Sequence, residues 1–252
     1  SELRPLASAR SAGKTVRFRG QDYPVQELRD DSFKGMDLAL FSAGGSVSRN
    51  FRQAVVDSGA VMVDNSSAFR MDPDVPLVVP EINAADIKTH KGVIANPNCS
   101  TIIMLMAAYP VMQLSRVTKI IVSTYQASSG AGAQAMQELK EQAMQHLSGR
   151  EMESRIFPFP LAFNAFSHNS AMDVETGANQ EEEKMVKETY KILHSDSLDI
   201  QATCVRIGTL RAHAESIYLE TERELTREEI TSALKQFPGV QVEDDRQSNR
   251  FP

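Results

Sequence analysis

A break between an apolar strand and an apolar helix most constrains how this chain can fold. Residues 92–95 have the composition of a buried strand, and residues 102–108 have that of a helix. Between them lies the segment Asn96-Pro97-Asn98-Cys99-Ser100-Thr101. Pro97 cannot continue a strand ladder and disfavours a helical residue before it, whereas Asn98 is a good N-cap. The segment therefore predicts a strand–turn–helix unit.

Cys99 opens the predicted helix. The positive end of a helix dipole stabilises a thiolate, which is the nucleophilic form of cysteine. The alternative is a small buried cysteine that starts a core helix, because free cysteine is commonly buried. The setting of strand, proline and N-cap favours the nucleophile.

Bulk properties exclude several classes of protein. The chain has 252 residues, of which 41% are hydrophobic and 24% charged, and this composition fits one large or two ordinary globular domains. The net charge of −6 leaves no broad basic surface for nucleic acid, and no apolar run is long enough for a membrane span. The only two cysteines have unrelated spacing, which excludes a disulfide framework and a cysteine-rich zinc site. We expect a cytoplasmic protein with no nucleic-acid or membrane partner, and no metal.

Strands and helices alternate in the first hundred residues, which predicts an α/β fold with a Rossmann-like dinucleotide-binding domain over residues 1–98. The predicted elements there are a hairpin at 15–28, strands at 36–41, 61–63, 77–79 and 93–95, and a helix at 48–58. Longer strands follow, and they predict an α+β catalytic and dimerisation domain with a mostly antiparallel sheet over residues 99–252. Its predicted elements are strands at 117–125, 201–207 and 216–222 and helices at 133–147, 179–194 and 226–237.

Two loops favour a phosphate-bearing cofactor. Ser42-Ala43-Gly44-Gly45-Ser46 lies between a strand and a helix, where backbone N–H groups can approach a phosphate, although a simple tight turn explains it equally well. Ala7-Ser8-Ala9-Arg10-Ser11-Ala12-Gly13-Lys14 is basic and has no acid for a ribose hydroxyl, so NADP is favoured over NAD. The alternative for this loop is a solvated basic turn. The fingerprint G-x-G-x-x-G is absent.

Four further residues are candidates for binding and catalysis. Arg70, in a polar loop, and Arg206, in an apolar strand, could grip a dianionic substrate near Cys99, although a strand arginine more often faces solvent. Gln126 begins a glycine-rich turn at a strand end. His213 could be a general acid/base for Cys99, although a loop histidine is more often a surface residue. We assign structural roles to the remaining histidines and to the second cysteine: His90, His146, His168, His194 and Cys204.

Taken together, these segments resemble the aspartate-β-semialdehyde dehydrogenase family, in family order over nearly the whole chain. The matching segments are Ala7-Ser8 with Arg10-Ser11-Ala12-Gly13, Phe41-Ser42-Ala43-Gly44-Gly45-Ser46, Asp64-Asn65-Ser66-Ser67-Ala68-Phe69-Arg70, Val79-Pro80-Glu81-Ile82-Asn83, Asn96-Pro97-Asn98-Cys99-Ser100-Thr101, Gln126-Ala127-Ser128-Ser129-Gly130-Ala131-Gly132, Glu181 with Lys184, and Arg206 with His213.

The resemblance implies NADP-dependent, reversible reductive dephosphorylation of L-aspartyl-4-phosphate to L-aspartate 4-semialdehyde, through a cysteine thioester, on the route to lysine, methionine, threonine and isoleucine. It implies the catalytic residues Cys99, His213 and Gln126. The implied substrate and phosphate contacts are Arg70, Asn98, Glu181, Lys184 and Arg206. The implied cofactor contacts are Ser8, Arg10, Ser11, Ser42, Ala43, Gly44, Asn65, Ser129 and Gly130. The resemblance also implies a homodimer formed through the second domain.

Family members begin with a glycine-rich βα turn and continue past the length seen here, so we expect this chain to lack both parts and to bind NADP weakly by itself. Three alternatives stay open: an N-acetyl-γ-glutamyl-phosphate reductase, a cofactor-free thiol hydrolase or acyltransferase, and an inactive binding-only fragment. In the first alternative, an aromatic residue follows the reactive cysteine; here it is Ser100.

Overall fold

The computed structural model describes residues 2–251 and contains two compact units. The first runs to Pro76 and includes Asp86–Asn96; the second combines Leu77–Ala85 with the residues from Pro97 onward. Leu77–Ala85, which the sequence analysis assigned to the first domain, thus groups with the second unit. No helix among the described residues is long and apolar enough to cross a membrane.

The first unit has the predicted parallel layer. Its elements are β1 (Leu6–Ala7), β2 (Thr15–Phe18), β3 (Gln21–Pro24), β4 (Gln26–Glu27), β5 (Leu38–Phe41), α1 (Gly45–Asp57), β6 (Val61–Asp64) and β7 (Val93–Ala95). Strands β5, β6 and β7 form a parallel sheet in that order, β1 pairs in parallel with β4, and β2 with β3 makes the predicted hairpin. Phe33, Val55 and Met62 lie in the core of this unit. Because the three sheet strands run the same way, the loops after them meet at one edge.

The second unit is built on a four-stranded mixed sheet. Its elements are α2 (Pro80–Asn83), α3 (Cys99–Met112), β8 (Val117–Gln126), α4 (Ala133–Leu147), β9 (Ala165–Ser167), α5 (Gln180–Leu193), β10 (Asp199–Ile207), β11 (Ala214–Thr221) and α6 (Arg227–Gln236). The strand order is β11-β8-β10-β9. Two of the three pairings are antiparallel, as expected, but the central pair of β8 and β10 is parallel. Helix α3 packs on β8 and β11, and α5 packs on β10.

One predicted strand is wrong. Residues 77–79 do not form a strand of either sheet; they lead into α2, and the buried side chain of Asn83 takes the place of a neighbouring strand. Its Oδ1 accepts from the Val79 N–H at 2.8 Å, and its Nδ2 donates to the Leu77 carbonyl at 2.8 Å. Leu77 makes only an isolated bridge, and the Asn83 side chain pairs one backbone group at each end of the run.

Candidate active site

Cys99 is the first residue of α3, as the sequence predicted. The Asn98 side chain caps the helix: Oδ1 accepts from the N–H groups of Ser100 at 2.9 Å and Thr101 at 3.3 Å. The Asn98 Nδ2 donates to Glu181 Oε1 at 2.8 Å, and its backbone N–H donates to Glu188 Oε2 at 2.6 Å. The cap thus fixes the start of α3 against α5.

The predicted lowering of the Cys99 pKa is wrong for the site as it stands. The residue is exposed, but protein atoms around the sulfur partly desolvate it. This desolvation, followed by the nearby negative charge of Glu181, raises the pKa of the thiol above its ordinary value, and hydrogen bonds from Ser100 offset only part of the rise. The helix N-terminus alone therefore does not produce a stable thiolate.

Register explains how three site residues from distant segments come together. Gln126 of β8 is paired directly with Arg206 of β10. His213 immediately precedes β11, and its Nδ1 accepts from the Ala127 N–H at 3.0 Å. A methyl group at Gly130 would lie 3.0 Å from His213 Nε2 and 3.1 Å from Arg206 Nη1. Gln126 and Arg206 thus form one row of the sheet, and His213 lies beside that row, just before β11; we call these three residues the catalytic row.

The Arg206 guanidinium is buried and held by three acceptors. Its Nη1 donates to the Ala127 carbonyl at 3.2 Å and its Nε to Asn169 Oδ1 at 3.2 Å. Its Nη2 lies 2.8 Å from His168 Nε2. Burial lowers the pKa of Arg206, whereas the charges of Glu181 and Cys99 act in the opposite direction. Of its five N–H groups, three have partners among the described residues, which leaves two for an anionic ligand.

His168 is a site residue that the sequence analysis missed. Burial, and then the charge of Arg206, lower its pKa to about 4, so the ring is neutral near pH 7. Both ring nitrogens face donors: Arg206 Nη2 lies 2.8 Å from Nε2, and the Ser170 N–H donates to Nδ1 at 3.2 Å, with Ser170 Oγ 3.0 Å from the same nitrogen. His168 directly follows the short strand β9, which pairs with β10 opposite Arg206, and no local sequence motif predicts that pairing.

Glu181, in the first turn of α5, faces the same site. Burial opposes its ionisation, but His168, Lys184 and Asn98 together hold its pKa below the ordinary value. Lys184 Nζ lies 3.2 Å from Glu181 Oε2, and Gln126 Nε2 donates to Glu181 Oε1 at 3.4 Å. The second unit therefore brings together Cys99, Asn98, Gln126, Glu181, Lys184, Arg206 and His213 of the predicted set.

His213 is neutral and has a defined tautomer. Burial, and then the charge of Arg206, lower its pKa. Because the Ala127 N–H donates to Nδ1, the neutral ring carries its proton on Nε2. The site thus presents a thiol, an imidazole N–H and a guanidinium, which suits addition of sulfur to a carbonyl whose oxygen becomes negative.

The candidate cofactor residues of the first unit lie at the carboxyl ends of parallel strands. Ser42, Ala43 and Gly44 follow β5 and are exposed, and Gly44 has φ 91°, a conformation that favours glycine. Asn65 follows β6 and donates from Nδ2 to Ser42 Oγ at 3.4 Å. Helix α1 begins directly after Gly44, so its free N–H groups open onto this edge.

The basic loop also follows a parallel strand. Ser8–Ser11 turns tightly after β1, with the Ser11 N–H donating to the Ser8 carbonyl at 2.8 Å, and Arg10 is exposed. Arg70, in contrast, is buried in the first unit: its Nε donates to the Asn96 carbonyl at 2.9 Å and its Nη2 to the Asn65 carbonyl at 3.0 Å. The last two candidates, Ser129 and Gly130, lie in a short helical turn of the second unit.

Two protein-family models match the chain. "Semialdehyde dehydrogenase, NAD binding domain" matches residues 1–90, and "Semialdehyde dehydrogenase, dimerisation domain" matches residues 109–252. Aspartate-semialdehyde dehydrogenase of Synechocystis sp. is 50% identical over 252 residues, which are 100% of this chain and 74% of the relative. The enzyme of Aquifex aeolicus is 49% identical over 257 residues, covering 100% of this chain and 75% of the relative.

Solved structures agree in fold. The crystal structure of aspartate semialdehyde dehydrogenase II from Vibrio cholerae complexed with ASA has a TM-score of 0.92 and 38% identity, and covers 96% of this chain and 73% of that chain.

Proposed function

Since this chain belongs to the aspartate-semialdehyde dehydrogenase family, we propose that its second unit carries the chemistry of that family on Cys99. The reaction is the NADP-dependent, reversible reductive dephosphorylation of L-aspartyl-4-phosphate to L-aspartate 4-semialdehyde. The observation that carries the assignment of residues is the grouping of a helix-opening cysteine with the catalytic row and Glu181.

In the reductive direction, Cys99 Sγ attacks the acyl carbon of the substrate. A carbon–sulfur bond forms, the bond from that carbon to the phosphate oxygen breaks, and the departing phosphate takes the thiol proton. The product is a thioester on Cys99. Because the pKa of the free thiol is raised, only a small fraction of Cys99 is ionised before substrate binds.

NADP(H), when bound, supplies or accepts the hydride. His213 serves the oxygen of the covalent adduct: its Nε2–H donates a hydrogen bond where negative charge develops. Acid/base exchange by the ring passes through the imidazolium, which needs a proton on Nδ1 and therefore breaks the contact with the Ala127 N–H. General acid–base help of this kind is worth about 10²–10⁴-fold. We assign Gln126 to orienting the acyl group.

The charged groups of the site fit a substrate with an α-amino acid end and a phosphate. Arg206 binds the α-carboxylate through its two remaining N–H groups, as a guanidinium fork does. We assign Glu181, which accepts from Asn98, to the α-ammonium group. Lys184 and Arg70 are assigned to phosphate.

The first unit fits a dinucleotide. Exposed polar residues, a positive-φ glycine and a helix N-terminus occupy the carboxyl ends of β5 and β6, as dinucleotide-binding folds require. Arg10, flanked by Ser8 and Ser11 and with no acid beside it, suits a 2′-phosphate, and this supports NADP. Ser129 and Gly130 are assigned to the nicotinamide end.

Cellular context follows from the family. A biosynthetic dehydrogenase on the route to lysine, methionine, threonine and isoleucine, with both cysteines free, fits the cytoplasm. The match to a dimerisation domain supports a homodimer through the second unit. The N-acetyl-γ-glutamyl-phosphate alternative is not favoured by any contact of the site.

One assay tests the proposal. At NADP concentrations high enough to saturate a weak site, we expect NADPH to form from aspartate semialdehyde only when inorganic phosphate is present, and Cys99→Ala to abolish it. A Cys204→Ala variant is the matched control, because that sulfur is buried beside Met185. Activity that survives Cys99→Ala, or that needs NAD rather than NADP, would contradict the assignment.

A further inference from the structure

Glu215 is a buried carboxyl group that the proposed mechanism does not use. Both its carboxyl oxygens are shielded from solvent, and neither has a hydrogen-bond partner among residues 2–251. Leaving a buried polar atom without a partner is costly, so such a group calls for an explanation. The carboxyl group therefore needs either a role or a nearby group that it can reach by a small movement.

Sheet register places Glu215 directly beside the catalytic row. It pairs with Thr124 of β8, which in turn pairs with Cys204 of β10, and both are buried. Gln126 lies two residues after Thr124 on β8, so the two side chains are on the same face of the sheet. Glu215, Thr124 and Cys204 thus form the neighbouring row of the sheet, on the face covered by α3 and α5.

Burial leaves this carboxyl group protonated at neutral pH. It raises the pKa of Glu215 to about 8, and a nearby Ser100 hydroxyl lowers it only in part. The titratable and charged groups around this row are Cys99 of α3, Cys204 and Arg206 of β10, Glu181 and Glu182 of α5, and His213 next to β11. A protonated acid has an O–H to donate as well as a carbonyl oxygen to accept.

Ser100 connects Glu215 with the site. Its buried hydroxyl accepts from Gln126 Nε2 at 3.1 Å, which uses one lone pair and leaves the second lone pair to accept from another donor. Gln126 Nε2 also donates to Thr124 Oγ1 at 3.3 Å. The amide of Gln126 is therefore held by the very residues that surround Glu215.

We propose that Glu215 is a positioning residue for the reaction at Cys99: its neutral carboxyl group hydrogen-bonds the Ser100 hydroxyl and so fixes the Gln126 amide against the acyl group. This role rests on the proposed function. Ionisation of Glu215 removes the O–H donor and places an uncompensated negative charge beside the catalytic row. The hydrogen bond to Ser100 therefore forms only while Glu215 keeps its proton.

The test compares three variants with the wild type. Glu215→Gln keeps a neutral group of the same shape, Glu215→Ala removes the group, and Glu220→Gln is the control because Glu220 is exposed on the same strand. We expect kcat near pH 7 to stay within about threefold for Glu215→Gln and to fall about 10–100-fold for Glu215→Ala, with KM changed by less than about threefold.

Infrared spectroscopy supplies a readout that needs no turnover. The wild type and Glu220→Gln should show the carbonyl band of a protonated carboxylic acid. This band should disappear as the pH is raised, with a midpoint near the Glu215 pKa of about 8. Glu215→Gln should lack that band. A wild-type kcat in Glu215→Ala, or a band that persists in Glu215→Gln, would overturn the role of Glu215 alone. An inactive wild type would overturn the proposed function and this role with it.

Discussion

His168 Nε2 lies 2.8 Å from Arg206 Nη2, so a neutral histidine holds one edge of the buried guanidinium assigned to the substrate carboxylate. The ring is itself oriented by Ser170, whose hydroxyl oxygen also accepts from the Glu181 N–H at 3.2 Å. The two charged residues assigned to the amino acid end of the substrate are thus joined through one hydrogen-bonded chain.

His168→Phe should weaken substrate binding more than turnover. The variant leaves a buried N–H of Arg206 without its acceptor, a loss of about 1–3 kcal/mol that corresponds to a KM increase of about 5–150-fold. Steady-state kinetics with aspartate semialdehyde measure it. His146→Phe is the control, because that histidine is exposed on α4. A KM unchanged in His168→Phe would show that Arg206 needs no such support.

The lowered pKa of His168 predicts a pH dependence of stability. The unfolded chain protonates this ring near pH 6.5, whereas the folded chain does so only near pH 4. Between these values the unfolded state binds more protons, so the free energy of unfolding falls as the pH is lowered from about 6.5 to about 4. Urea unfolding at several pH values should show a steeper fall for the wild type than for His168→Gln. Parallel curves for both proteins would contradict this.

Local signals were sufficient for much of the fold. Asn98 caps α3 as predicted, and Asn179 and Thr226 cap the two helices whose predicted ranges begin at these residues, because an N-cap is decided by a side chain and the few N–H groups after it. The parallel sheet of the first unit could equally be predicted from short apolar strands that alternate with helices. Sequence pattern carries this information because both effects act over a few residues.

Contacts between distant segments were not readable. The supporting role of His168 depends on β9 pairing beside β10, and the strand expected at 77–79 is replaced by side-chain contacts from Asn83. The direction of the Cys99 pKa depends on desolvation and on Glu181, which reaches the site from another helix. Local rules predicted the opposite direction because the helix dipole is a local effect and the carboxylate is not.

Gly130→Ala should damage the site without unfolding the protein. The added methyl would meet His213 Nε2 at 3.0 Å and Arg206 Nη1 at 3.1 Å, so both side chains must shift. A displacement of this kind costs about 10–100-fold in kcat/KM. Thermal unfolding should change little, because the nearest atoms belong to side chains rather than backbone. A variant with wild-type kcat/KM would contradict this arrangement of Gly130, His213 and Arg206.

Glu138 should be essential for anchoring the loop after α4. Its buried carboxylate accepts from the N–H groups of Arg155 at 2.8 Å, Ile156 at 2.7 Å and Phe157 at 3.3 Å. Glu138→Ala leaves these donors unpaired and should lower the free energy of unfolding by about 2–3 kcal/mol. Glu141→Ala, on the same helix, removes exposed contacts with Arg155 and Gln137 and should cost less than about 1 kcal/mol. Equal losses in urea unfolding would contradict the distinction.

Glu181→Gln should separate the reactivity of the cysteine from catalysis. The negative charge of Glu181 is one cause of the raised pKa of Cys99, so removing it lowers that pKa and increases the thiolate fraction near neutral pH. Iodoacetamide reacts with the thiolate, and at about pH 7.5 only a small fraction of an ordinary thiol is ionised. Alkylation of Cys99 at this pH should therefore be faster in the variant than in the wild type. The kcat/KM for aspartate semialdehyde should nevertheless fall, because the group assigned to the substrate ammonium is lost. Glu183→Gln, at an exposed ion pair with Lys187 on the same helix, is the control and should change neither rate. Slower alkylation in Glu181→Gln would mean that the carboxylate activates the thiol instead of restraining it, and the charge balance assigned to this site would then be reversed.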